Sequence, residues 1–149
     1  MRKGYLVLAL LVSACGEQSS KVEQTSPNNA INPQKILYPD IEANNLYGLS
    51  CAFVPEGGGI GAIALAMPGG GYLKLDGEIR RFKPEKTGQA FGPPSMTFVE
   101  QDLRFTLELN SEIPGNHGGG TREYHARFGL MGADGDLLYE AGGISQCGA

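Results

Sequence analysis

The chain has 149 residues with 12 basic and 16 acidic side chains, and a net charge of −4 disfavours nucleic acid and other polyanions as partners. That length suits one folded domain. With 23 glycines, no tryptophan and no sustained helical period, the composition argues for short strands joined by glycine turns, against a helical bundle.

Arg2 and Lys3 stand ahead of an unbroken apolar run from Tyr5 to Val12. This is the order of a secretory signal peptide, and the run is too short to span a bilayer as a permanent helix. Val12-Ser13-Ala14-Cys15 then resembles the lipobox of bacterial lipoproteins. In that family the cysteine thiol is joined to diacylglycerol, the chain is cut just ahead of it, and the new amino terminus is acylated. The resemblance implies a leader over residues 1–14, lipidation at Cys15, and the membrane as a partner. Two or three acyl chains hold a protein far more firmly than one. Gly16 stands where lipoproteins kept in the inner membrane of enteric bacteria carry Asp, which points to the outer membrane facing the periplasm. Loss of Arg2 and Lys3 leaves ten basic against 16 acidic side chains, a net of −6.

With Cys15 acylated, Cys51 and Cys147 remain, and in an oxidising envelope compartment a disulfide is their expected state. Closing a loop of about a hundred residues is worth roughly 4–5 kcal/mol in the chain-entropy model.

From Gly16 to about Asn32 the chain is Ser, Gln, Glu, Asn and Pro, which reads as a flexible tether, and the tether with its lipidated cysteine is assigned to 15–45. Within it, Ile36, Leu37, Tyr38 and Ile41 bring back apolar character. Pro33 and Pro39 leave no room for a long helix, so an irregular lead-in docking on the domain is expected. The β domain is assigned to 46–149.

Leu49 to Val54 reads as a first strand, ended by Pro55 and the glycines at 57, 58 and 59. In Ile60 to Met67, large residues alternate with alanines, as in a strand covered on both sides, and a short helix fits the same pattern. Tyr72–Leu75 and Glu78–Phe82 flank Asp76-Gly77, the pair that a type I′ hairpin turn demands. This hairpin is expected to place Leu73, Leu75 and Ile79 on an inner face. After a Gly/Pro-rich loop, Met96–Glu100 and Leu103–Asn110 form a second hairpin about Gln101-Asp102. In the latter strand Leu103, Phe105, Leu107 and Leu109 alternate with polar residues. A glycine loop spans Ile113 to Thr121. Tyr124, Ala126, Phe128 and Leu130 repeat the pattern, Asp134-Gly135 turns the chain, and Leu137–Glu140 and Ile144–Cys147 close it. The fold class is therefore all-β, a small antiparallel barrel or sandwich of about eight short strands, closed by a disulfide between its first and last strands.

Candidate chemistry is sparse. His117-Gly118-Gly119-Gly120 copies the oxyanion loop of lipases and esterases, but no Gly-x-Ser-x-Gly accompanies it. Gly57-x-Gly59-x-x-Ala62 copies a dinucleotide fingerprint, yet Pro68 and three glycines stop the next segment before a crossover helix can form. His117 and His125 lack further ligands at metal spacing. Asp134, Asp136 and Glu140 lack the ligand order of a calcium loop. Neither a catalytic residue, nor a metal, nor a cofactor is called for. Arg80, Arg81, Lys83 and Lys86 form one basic cluster, a candidate surface for lipid phosphates or an acidic partner.

Cys51, the Leu73-to-Gly77 hairpin and Cys147 resemble features of the membrane-bound inhibitors of c-type lysozyme, small lipoproteins folded as antiparallel barrels. Thr87-Gly88-Gln89-Ala90-Phe91 stands where that family carries Ser-Gly-x-x-Tyr. The resemblance implies that the Thr87 hydroxyl would enter a lysozyme active site. Two functions are thus expected, neither of them catalytic. One is an anchored binding or structural module of the envelope with a protein partner. The other is a periplasmic lysozyme inhibitor acting through Thr87 and Gly88.

Overall fold

A computed structural model describes residues 31–115 and 117–149. The leader, Cys15 and most of the tether lie outside these residues. Eight antiparallel strands, each paired with its neighbour in sequence, close into one barrel as β8 pairs back onto β1. They are β1 (Ser50–Pro55), β2 (Ala64–Met67), β3 (Gly70–Leu75), β4 (Glu78–Pro84), β5 (Ser95–Glu100), β6 (Leu103–Ile113), β7 (Arg122–Met131) and β8 (Leu137–Gly148). Among the described residues one short helix, α1 (Tyr38–Asn44), precedes them. Of the two architectures that the sequence allows, the barrel is the one formed. Closure leaves no unpaired edge.

Cys51 and Cys147 sit directly opposite each other in the β1/β8 ladder and are disulfide-bonded across 96 residues of chain. The bond therefore ties the seam where the barrel closes. An eight-stranded barrel has an interior just wide enough for side chains to fill. Here Phe53, Phe82, Phe98, Phe105 and Phe128 fill it, all fully buried. Phe105 is the hub, with ring centroids 5.0 Å from Phe98, 5.1 Å from Phe82 and 5.6 Å from Phe128. Five rings fit because small residues face them. Ala64, Ala66 and Ala126 line the interior, and a Cβ added at Gly71 would lie 2.3 Å from the Phe105 ring.

The hairpin at Asp76-Gly77 forms as expected, with both residues at positive φ and Leu75 paired to Glu78. Leu73 and Leu75 face the interior, but Ile79 does not. It pairs with Lys74 and so shares the outer face, where it packs against a second apolar cluster. β2 begins at Ala64, and the preceding residues form only a bridge at Ala62. Its two faces are both covered: Ala64 and Ala66 look inward while Leu65 lies buried on the outside. The two strands expected after Asp134-Gly135 are one. Gly142 and Gly143 continue β8, and Gly143 is needed because a Cβ there would meet the Val54 carbonyl oxygen at 2.1 Å.

The outer cover of β2 is the lead-in. Gln34 donates its backbone N–H to Lys74 and accepts from Gly77 N–H through Oε1, and Ile36 N–H bonds the Ala62 carbonyl. Ile36, Leu46, Ala62 and Leu65 form the centre of the second cluster. Two turns of helix fit between, because Pro39 occupies the first turn, where no intrahelical amide bond is lost. Asp40 accepts the Leu37 N–H at 2.9 Å and pairs with Lys74 Nζ at 2.7 Å, fastening the helix to β3. The packed body thus reaches back at least to Gln34, ahead of residue 46, where the sequence reading begins the domain.

Candidate functional site

With its interior filled, the barrel has room for a partner only outside. One hollow is a cleft of about 790 Å³ on the outer surface where β1, β8 and β7 meet. The β1–β2 connection forms one wall through Gly57–Gly61, and its Gly57, Gly59 and Gly61 all take positive φ. Cross-strand pairing supplies the rest. Val54, Ile144 and His125 follow one another across three strands, and Glu123 faces Gln146 beside them. Gly142 explains the hollow: a Cβ there would touch nothing within 4 Å.

The polar side chains are held before any ligand arrives. Gln146 Nε2 donates to Glu123 Oε1 at 2.5 Å, and Glu123 Oε2 lies 3.3 Å from His117 Nδ1. His117 Nε2 is 3.2 Å from the Ile113 carbonyl oxygen. His117, at the start of the motif that copies an oxyanion loop, thus spends both ring nitrogens on tying its own loop to β6 and β7. Glu56 and Glu123 are the charged residues of the cleft wall, with His125 beside them and no Lys or Arg. No Ser, Thr, Cys or Tyr lines it either, so the wall offers carboxylates, amides and an imidazole over an apolar floor. Such a lining recognises hydrogen-bond donors attached to an apolar body.

The residues singled out in the sequence are not brought together. Thr87 and Gly88 form the tip of an exposed turn closed by the Gln89 N–H to the Lys86 carbonyl, in the β4–β5 loop. Connections alternate between the two barrel ends, so this tip and the Gly57–Gly61 connection lie at opposite ends. The basic cluster divides by strand alternation. Arg80 pairs with Leu73 and points inward, where it meets Glu100 at 2.5 Å, while Arg81 and Lys83 stay exposed. Arg80 is therefore already paired and points away from Arg81 and Lys83. Gly57-x-Gly59-x-x-Ala62 leads into β2, not a helix, so the dinucleotide geometry is missing. Among the described residues, no group of three His, Cys, Asp or Glu side chains is placed to hold a metal ion. Nor is any described helix long and apolar enough to cross a membrane.

The sequence reading missed the cleft, although two of its signals were present. Glu123 and His125 share the polar face of β7, and the glycine run at 57–61 is too long for a tight turn. What could not be read was the closure that sets β1 beside β8. Comparisons of the chain with family models, with curated proteins and with solved structures find no match.

Proposed function

We propose that this protein is a lipoprotein of the bacterial envelope, anchored through Cys15 in the outer membrane and facing the periplasm. Its non-catalytic barrel binds an envelope partner in the cleft beside Gly57–Gly61. The observation that carries the binding reading is the contrast between a sealed aromatic interior and an open outer hollow with pre-held polar groups. The anchoring reading rests on the order of charge, apolar run, small residues and cysteine at the N-terminus.

Gly142→Leu tests the binding site, because a Cβ there meets nothing within 4 Å and the rest of the side chain takes up space in the hollow. Cross-linking in intact envelopes should capture a partner with the wild type and lose it with Gly142→Leu at unchanged melting temperature. Equal capture by both proteins rejects the cleft.

A second reading, inhibition of a c-type lysozyme, is favoured by the exposure of Thr87 at a turn tip. Micromolar protein should then slow cell-wall lysis, and Thr87→Ala should abolish the effect. No slowing by the wild type removes that reading.

A further inference from the structure

Ile60 is 92% exposed, more than any other large apolar residue described, and it stands on a loop whose neighbours are glycines. Leu37 and Tyr38 are exposed close by, at 47% and 65%. Leu37 Cδ2 lies 3.2 Å from where a Gly61 Cβ would be, so the loop and the lead-in touch. Lys35 completes the group, with its ammonium 3.7 Å from a Cβ position at Gly59. An aliphatic tip, an aromatic ring and a long-stemmed cation are the residue types that settle at a lipid headgroup boundary.

The position of the chain outside the folded body says what covers this group. Ile31 packs against the core, and Lys35 is only four residues further on, about 13 Å of extended chain. The segment that leads to Cys15 therefore joins the barrel beside the Ile60 loop. Even fully extended, the sixteen residue steps from Cys15 to Ile31 reach no more than about 58 Å. A lipid on Cys15 keeps this side of the barrel near the bilayer, while the acidic turns at Asp76, Asp102 and Asp134 confine the contact to the sector around Lys35.

We propose that Ile60, with Leu37, Tyr38 and Lys35, is a membrane-contact finger that dips into the lipid surface and sets how the tethered barrel stands on it. The proposal rests on the anchoring reading. The finger is too small to hold the barrel alone, so it orients a protein that the acyl chains retain. In this pose the cleft opens beside the membrane.

The chain contains no tryptophan, so one introduced residue is a single reporter. Cys51 and Cys147 are bonded to each other, which leaves Cys15 as the only thiol for chemical coupling. The chain from Cys15 onward keeps every described residue, and its thiol is coupled to a maleimide phospholipid in phosphatidylcholine vesicles with brominated acyl chains. Ile60→Trp is compared with Leu49→Trp, which lies at the other end of β1, about 20 Å away along the strand. Bromine quenches only indoles that reach the acyl region. Ile60→Trp should lose about half its emission or more and Leu49→Trp less than about a tenth. Equal quenching at both positions, or none at 60 in the coupled protein, overturns the proposal. So does a blue shift of Ile60→Trp that grows with protein concentration without vesicles, since Ile60 then meets a second copy. Coupling supplies the anchor chemically, so either failure leaves native acylation to be judged separately from the mass of the envelope protein.

Discussion

The outer face of β1–β3, with Ile79 of β4, is largely apolar and covered, whereas β5–β8 bury only their inner face. In the first half Leu65, Met67, Tyr72 and Ile79 face away from the interior and would be wet without the lead-in and α1 laid across them. In the second half the outward positions include Arg104, Glu108, His125 and Arg127, all exposed. Their ion pairs, such as Arg127 with Glu140 at 2.7 Å, are solvated and contribute little to stability. One closed sheet therefore carries two kinds of surface. The strapped half carries the lead-in and α1 on its outer face, and the cleft lies at the seam where the two halves meet.

The largest effect expected is at the point where the two halves share one interior. Phe105→Ala removes the ring that touches three others, and chemical denaturation should show a loss of about 3–5 kcal/mol with the whole barrel weakened. Leu65→Ala, under the strap, should cost nearer 2 kcal/mol, because the lead-in can settle into part of the space. Hydrogen exchange should then rise at Ile36 and Leu46 and stay unchanged at Leu107. A uniform rise would mean that strap and barrel open as one unit.

A smaller effect separates packing from turn geometry. Gly71→Ala drives a methyl into the Phe98 and Phe105 rings and should cost about 1–3 kcal/mol in thermal unfolding. Gly69→Ala, only two residues away in open space, should change stability by less than about 0.5 kcal/mol. Equal effects would show that the interior has slack near β3.

The mildest test acts on the strap through pH. Hydrogen bonds from Lys74 and then from the Leu37 N–H hold Asp40 below the usual carboxylate range. A lowered folded value means that its contribution is present above the unfolded aspartate value, about 3.9, and fades as pH falls through the lowered one. Acid titration should free the Leu65 methyl signals at a pH where those of Leu107 stay put, and Asp40→Asn should loosen the strap at neutral pH. A strap that holds its signals down to global acid unfolding would contradict this role for Asp40.

The same contrast explains what could be read from the sequence. β6 and β7 have one dry and one wet face, so Phe105, Leu107 and Leu109 alternate with polar residues and both strands are visible. Asp76-Gly77 declares its turn locally. Ile79 misleads because an apolar residue in a hairpin suggests the interior, and only the docked lead-in gives it an outer place to bury. Pro39 suggested an irregular segment, yet a proline in the first turn leaves a two-turn helix intact. Arg80 looked like a surface cation, while its pairing with Leu73 turns it toward Glu100. Closure is the long-range fact behind most of these differences. It makes β1 and β8 neighbours, creates the cleft and places Cys51 opposite Cys147.

Where this barrel is held, and in what redox state, decides what it can do. Intact-mass spectrometry of the protein extracted from bacterial envelopes reads both at once. The predicted species begins at Cys15, carries the mass of its acyl chains and lacks the thiol hydrogens of Cys51 and Cys147. A chain that keeps Met1 to Ala14, bears no lipid and has free thiols would contradict it.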